Sequence, residues 1–437
     1  MPFPFSTLCN RLVTSACLAV LAVASLASTE AVAQNAPPAE AAKPTVPAAT
    51  ADVNAAKPAA AKTVITIILA REIRDRPTPL SLLDIPPADD GIAGAKLGIG
   101  DNNTTGRFLN QEYVLDVVEN AKPAQLVSDV VAKLGERGGF IIADAAPETI
   151  LALADAAAAK GGIVVNASSP DESLREENCR ANLVHTIPSR SMLTDALAQY
   201  LAFKRWNKWF LVAGTQPDDK AYADALRRSA KRFGHTIVEE RTFEYDAGSR
   251  RTDGGHEQVQ QQIPTFMQNA KAHDVVVVAD EGELFGEHIP YRTWDPRPVA
   301  GTAGLTPATS HPSIEQWGGT QFQNRFKRLA NRTMRPLDYN MWLAMRSVGE
   351  AASRKQTNDP KALFAYMQSP DFDLAAFKGT KTTFRNWNGQ LRQPLFVVTS
   401  KVLVSVSPQQ GFLHQFSPLD TMGFDKPESK CKAYTAK

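Results

Sequence analysis

Cysteine is scarce in this chain, with four in 437 residues. That excludes a disulfide-dense small scaffold and a multi-cluster iron–sulfur protein. An excess of one charge is also lacking. Lys and Arg number 48 against 46 Asp and Glu, a formal net charge of +2. No large basic face follows from that balance, so nucleic acid is excluded as a partner. The seven histidines are scattered. Neither His-x-x-x-His nor Cys-x-x-Cys-His occurs, which leaves zinc-protease and c-type haem readings without support. Gly-x-Ser-x-Gly is absent, and no Gly-Lys-Ser/Thr follows Gly94-Ala95-Lys96-Leu97, so neither a hydrolase elbow nor a phosphate loop is present. With no nucleophile–base pair visible, the expectation is a protein that is not an enzyme, with no cofactor.

Long apolar runs are missing too, apart from one of modest length near the start. Arg11 precedes an uncharged stretch, Leu12 to Thr29, with an apolar centre at Leu18–Leu26. Ala31-Val32-Ala33 then offers a small-x-small cleavage site. The pattern is that of a secretory signal peptide over 1–33, cleaved after Ala33, and implies a periplasmic protein. A membrane anchor fits less well, because a span needs ~20 strongly apolar residues. Residues 34–62 hold 12 Ala and 5 Pro among 29. Such a segment buries too little apolar area to offset its ordering entropy and is expected to be a disordered linker. Export would leave Cys179 and Cys431 as the remaining thiols, and an oxidising compartment favours one disulfide between them.

What is present from Lys62 onward is an alternation of strands and helices. Val64–Leu69 is a near-continuous β-branched and aliphatic run, as in a strand buried on both faces. A helix is expected at 89–102, where Gly91, Gly94 and Gly98 share one face and permit close packing. Tyr113–Val118, Phe140–Ala143 and Ile163–Val165 read as strands, separated by helices at 124–135 and 147–160. The second half repeats this: helices at 191–204, 219–233 and 257–271, and strands at 209–213, 236–243 and 275–278. Two long helices follow, near 315–331 and 338–354, then strands at 395–398 and 402–406. Two successive β-α-β series imply an α/β fold with two lobes, each a mainly parallel sheet flanked by helices.

Several segments resemble those of the type I periplasmic solute-binding proteins, which include the branched-chain amino-acid receptors of ABC importers. They are Asp90-Gly-Ile-Ala-Gly-Ala-Lys, Ile163-Val-Val-Asn-Ala-Ser-Ser-Pro, His185-Thr-Ile-Pro-Ser and Gly301-Thr-Ala-Gly-Leu. Asp101-Asn-Asn-Thr-Thr-Gly-Arg-Phe, Tyr291-Arg-Thr-Trp-Asp-Pro-Arg-Pro-Val and Phe384-Arg-Asn-Trp-Asn-Gly-Gln-Leu are similar to a subgroup of ABC substrate-binding proteins associated with pyrroloquinoline-quinone (PQQ)-dependent alcohol dehydrogenase systems. The resemblance implies three hinge crossovers, near Pro188, near Leu305 and within 379–394. Lobe 1 would comprise 63–188 plus 306–379, and lobe 2 189–305 plus 380–437. It also implies a small solute held between the lobes, anionic or amino-acid-like, with PQQ itself a candidate, and an ABC permease as partner. The alternative is a ligand-sensing or accessory protein of the dehydrogenase system without a transport role.

In open α/β sheets, ligands sit beyond the carboxyl ends of the strands. That rule selects Arg71, Asp144, Ser168 and Ser169 in the first lobe, and Asp218, Asp280 and Glu281 in the second. The resemblance assigns hydroxyls to a ligand carboxylate and acids to its amine. The bland reading of Ser168-Ser169-Pro170 and Asp218-Asp219 is helix capping. Arg71, Arg74 and Arg76 cluster, and Arg292 and Arg297 sit in another loop. Arginine forks suit carboxylates, and pairing with Glu72, Asp75 and Asp84 is the competing reading. Asp101, Asn103, Thr105, Gly106 and Glu112 follow calcium-loop spacing but supply only two carboxylates, so a plain helix-to-strand turn is the stronger reading. The basic run Arg227, Arg228, Lys231 and Arg232 reads as a solvated helix face. Tyr339, Trp342 and Met345 read as core.

Overall fold

The computed structural model describes residues 62–75, 85–245 and 258–434. The signal peptide, almost all of the Ala/Pro linker, Arg76 and Asp84 lie outside those residues. Five strands form a first parallel sheet: β1 (Thr63–Glu72), β2 (Gln111–Asn120), β3 (Phe140–Asp144), β4 (Ile163–Asn166) and β5 (Leu183–His185). Their spatial order is β2-β1-β3-β4-β5. Every residue of β3 and β4 is buried, which is why Phe140-Ile-Ile-Ala and Ile163-Val-Val carry no polar alternation. Three connecting helices cover the faces, α1 (Ile92–Leu109), α2 (Pro123–Lys133) and α3 (Pro147–Ala158).

The second series begins with α4 (Arg190–Phe203) and continues through β6 (Lys208–Ala213), α5 (Pro217–Phe233), β7 (Thr236–Thr242), α6 (Val259–Phe266), β8 (Val275–Ala279) and β9 (Val299–Gly301). Its parallel sheet has the order β7-β6-β8-β9. The four consecutive valines of β8 are fully buried. Late in the chain come β10 (Thr306–Ala308), α7 (Gly319–Ala330), α8 (Pro336–Lys355), α9 (Pro360–Met367), β11 (Leu374–Ala375), β12 (Lys381–Phe384), β13 (Leu391–Arg392), β14 (Leu395–Val398) and β15 (Leu403–Ser407). Among the described residues, no helix is long and apolar enough to cross a membrane.

The glycine face of α1 packs on α8. A Cβ on Gly94 would lie 1.9 Å from the Asp338 carbonyl oxygen, so only glycine lets the two backbones approach this closely. Tyr339, Trp342 and Met345 sit in the core shared by α1, α8 and the first sheet. Helix α1 runs seven residues beyond the expected end at 102 and absorbs the calcium-like segment. Asp101 accepts from Arg325 and from the Trp342 indole at 2.8 and 2.9 Å, and buried Asn102 donates to the Met345 carbonyl at 2.9 Å. These contacts with the late helices override the turn propensity of Asn-Asn-Thr-Thr. The helix-to-strand turn falls instead at left-handed Asn110.

Two expected lobe limits also differ. Thr306–Ala308 pair antiparallel with Val398–Phe396, so β10 stays with the second group of elements. Phe384 and Leu391 enter the core around Ile67, so β12 and β13 stay with the first. Alternating apolar residues specify a buried strand, not which core it joins. The chain therefore passes between the groups at 186–189, between Ala308 and Gly319, and at 393–394. Two of these passages touch: Gln393 donates to the Thr186 carbonyl at 2.7 Å, and buried Lys378 donates to Gln393 and to the Pro394 carbonyl at 2.6 and 2.8 Å. Cys179 and Cys431 form a disulfide across 252 residues.

Candidate functional site

Strand direction decides where the loops gather. The carboxyl ends of β1, β3 and β4 present Arg71–Arg74, Asp144 and Asn166–Ser169. Those of β6 and β8 present Gly214–Asp219 and Asp280–Glu281.

At the first end, Arg71 and Arg74 converge on one acid. Their guanidinium nitrogens lie 3.5 and 3.2 Å from the buried Asp144 carboxylate. Arg71 also donates to Glu119 at 2.9 Å and to the Ala88 carbonyl at 2.8 Å. The neighbours named by the competing reading, Glu72 and Asp75, are not these partners. Glu72 instead accepts from the Ala146 amide at 2.8 Å. The Arg74 side chain is 38% exposed, and a cavity of about 250 Å³ lies against Arg71, Arg74, Ala88 and Glu119.

Ser168 and Ser169 are organised by Asn166. Its side-chain oxygen accepts from both serine amides, at 3.2 and 2.9 Å, and its NH₂ faces His185 Nδ1 at 3.1 Å. That donation places the ring proton on Nε2. Burial, then the nearby Arg175 charge, holds the His185 pKa well below its ordinary range. The Ser168 hydroxyl accepts from the Ala145 amide at 3.0 Å, joining the β3 and β4 loops. Half-buried Ser168 and buried Ser169 therefore shape the end of the sheet.

The second end is built around a residue that the strand-end rule did not select. Arg190, the first residue of α4, has a side chain only 5% exposed. It donates to both oxygens of Glu281 at 2.6 and 3.0 Å and to Asp218 at 2.7 Å. Asp171, from the loop after β4, lies 3.6 Å away. Burial opposes the Arg190 charge, but the Glu281 bond and the surrounding carboxylates raise its pKa above the ordinary value. Burial likewise pushes the Glu281 carboxyl up, against the pull of Arg190.

Two acids at this end serve the backbone. Asp280 accepts from the amides of Leu284, Phe285 and Gly286 at 3.0, 2.8 and 2.6 Å. Asp219 accepts from the amides of Gln216 and Glu281 at 3.1 and 2.7 Å. Asp280 thus departs from the role of an acid waiting for a ligand amine. Its near neighbour Asp218 is 71% exposed and keeps an open face. Arg292 and Arg297 stand exposed on the loop after the short turn Gly286–Tyr291. A cavity of about 490 Å³ is lined by Glu287, Tyr291, Thr306, His311 and Thr399, together with Pro336 of α8. Arg190, Asp171 and Glu119 were missed in the sequence because their partners lie far away along the chain. Among the described residues, no group of three or more His, Cys, Asp or Glu side chains could hold a metal ion.

Comparison with known proteins bears on the fold. Residues 86–281 match the periplasmic binding protein family model. No match to a curated protein sequence is found. A branched-chain amino-acid ABC transporter periplasmic ligand-binding protein from Burkholderia xenovorans is similar in structure, with a TM-score of 0.66 at 15% identity, covering 85% of this chain and 100% of that one. An ABC transporter substrate-binding protein from Sphaerobacter thermophilus gives 0.63 at 13%, covering 79% and 98%. A solute-binding protein of R. palustris, in complex with benzoate, gives 0.59 at 12%, covering 85% and 99%. Residues 86–281 thus carry the sequence pattern of the periplasmic binding proteins, and the chain has their type I fold.

Proposed function

We propose that this protein is the solute-capturing component of an ABC importer, exported to the periplasm by a signal peptide that is cleaved after Ala33. The two groups of elements act as lobes, turning on the connecting segments at 186–189 and 393–394 and closing over a small solute. One observation carries this reading: loops from both sheets meet at Arg190, which touches Asp171 of the first and Asp218 and Glu281 of the second. A contact of that kind forms where two sets of strand ends face each other.

The charges suggest the solute. The first end offers the partly exposed fork of Arg74 to a carboxylate, and the second offers the open face of Asp218 to an amine. A carboxylate-bearing solute, amino-acid-like or aromatic, fits this arrangement. The relatives named above include one for branched-chain amino acids and one bound to benzoate. The resemblance to proteins of PQQ-dependent alcohol oxidation adds that tricarboxylate quinone to the candidates. Native mass spectrometry of protein purified from its own periplasm tests the reading, followed by titration calorimetry with the retained solute, branched-chain amino acids, benzoate and PQQ. The expected result is one carboxylate-bearing molecule per chain, with binding weakened by Arg74→Gln. Failure of every carboxylate to bind refutes it. A second role, sensing for the dehydrogenase system, is separated by pull-down: a permease partner supports transport, and a signalling partner supports sensing.

A further inference from the structure

The chain does not end where its last strand ends. After β15 it runs back along the second group of elements and then crosses to the first. On the second group, the Ser407 hydroxyl donates to the Ala196 carbonyl of α4 at 2.7 Å, and the Gln409 amide donates to Gln199 at 3.0 Å. Thr421 accepts from Gln199 at 2.9 Å, and the Gly423 amide donates at 2.8 Å to Asp195, which is fully buried. Arg228 and Arg232 of α5 hold Asp195 from one side and Glu428 of the tail from the other, at 3.0 to 3.4 Å. The Arg228 guanidinium also covers the Phe424 ring at 4.1 Å. The basic run expected to be a solvated helix face is therefore, at two of its four residues, the docking surface for the tail.

Asp420 binds the tail to the β12–β13 turn of the first group, just before the passage at 393–394. Its carboxylate accepts from Arg385 at 2.9 Å, with both side chains almost fully buried, and from Arg392 at 2.9 and 3.0 Å. Past Glu428 the tail leaves the second group. The Lys430 amide donates to Glu176 at 2.5 Å, Cys431 is bonded to Cys179, and the Tyr434 hydroxyl donates to the Leu183 carbonyl of β5. Three anchors thus follow one another over fifteen residues: the β12–β13 turn of the first lobe, then the second lobe, then the segment between β4 and β5 of the first lobe, the last of them covalent.

We infer that residues 418–434 form a strap that limits how far the two lobes open, with the Cys179–Cys431 bond as its fastening. An opening rotation moves the α4–α5 surface away from the β4–β5 loop. Only residues 429 and 430 separate the Glu428 anchor from Cys431, so a span of at most ~3.6 Å per residue leaves little slack. Cutting the disulfide converts the anchor after Glu428 from covalent to hydrogen-bonded and frees the lobes to separate further. The inference rests on the two-lobe reading but not on which solute is bound.

Small-angle scattering of the solute-free protein tests it. Native oxidised protein is compared with the Cys179→Ser/Cys431→Ser double variant, and with native protein reduced by a phosphine in place, its fold checked by circular dichroism and its two thiols counted. The reduced protein keeps the test available if the double variant fails to fold. The expected result is a radius of gyration larger by about 1 Å on a value of about 21 Å, collapsing towards the oxidised value when the solute retained from the periplasm is added. Identical radii in the oxidised and reduced proteins overturn the strap. Equal radii with intact solute binding sink the strap alone, and a widened radius with no solute bound sinks the capture reading alone.

Discussion

The two sets of strand ends use arginine in opposite ways. At the first, two arginines surround one buried acid, Asp144, and Arg74 stays 38% exposed. At the second, one arginine at 5% exposure is surrounded by Asp171, Asp218 and Glu281. The second arrangement sets three carboxylates around one guanidinium and leaves negative charge facing outward; at the first, where Glu119 also pairs with Arg71, only the Arg74 guanidinium faces outward. Under the proposed function, such a pair of surfaces would orient a dipolar or anionic guest before it makes close contact. The second arrangement is also structural, because its arginine ties both halves together, while Arg74 ties nothing beyond its own lobe.

That contrast can be broken by mutation. Arg190→Met should have the largest effect. It leaves the Glu281 carboxylate without its bidentate partner at a half-buried site, and a loss of about 3–5 kcal/mol in stability is expected, read as a lowered denaturant midpoint at unchanged slope. Arg71→Met should cost less, about 1–3 kcal/mol, because Arg74 still neutralises Asp144. If Arg71→Met proves the more damaging, the assignment of structural weight to the second end is wrong. Arg74→Gln should shift stability by no more than about 0.5 kcal/mol while weakening carboxylate binding about tenfold, measured by calorimetry on the same preparation.

Acid sharpens the comparison further. His185 is buried beneath the first end, and His235 is buried beside Trp209 in the second lobe; burial lowers both pKa values. A base with a lowered folded pKa binds protons more weakly when folded. The stability it contributes is fully present above its unfolded pKa of about 6.5 and is lost as pH falls below that value. Each histidine then adds a slope of at most about 1.4 kcal/mol per pH unit. Thermal melts between pH 7.5 and 5 should show the loss beginning near pH 6.5, and His185→Gln should flatten part of it. A melting temperature that does not move over this range contradicts the burial argument.

Much of the architecture was legible because burial on both faces removes polar alternation. Val275–Val278 and Phe140–Ala143 could only be inner strands, and the spacing of Gly91, Gly94 and Gly98 foretold a helix pressed against another. The site was less legible. Strand direction selects Asp144 and Glu281 but says nothing of their partners. Ser189-Arg190-Ser191 reads as an ordinary helix start, and nothing local says that Arg190 meets residues 28 and 91 positions away. The calcium-like spacing misled for the converse reason, since Asn102 and Asn103 look like turn residues until α8 and Tyr113 supply their hydrogen bonds. Strand β10 was assigned to the wrong side because three residues carry too little pattern to choose between two cores.

The distance along the chain between Cys179 and Cys431 also sets a schedule for maturation. At roughly 5–20 residues per second of synthesis, the later thiol is made about 10–50 s after the earlier one, since 252 positions separate them. The linkage therefore seals a nearly finished molecule rather than guiding its assembly. Until then Cys179 is available to oxidants and to neighbouring chains, and a protein truncated before residue 431 keeps that thiol single for its whole life.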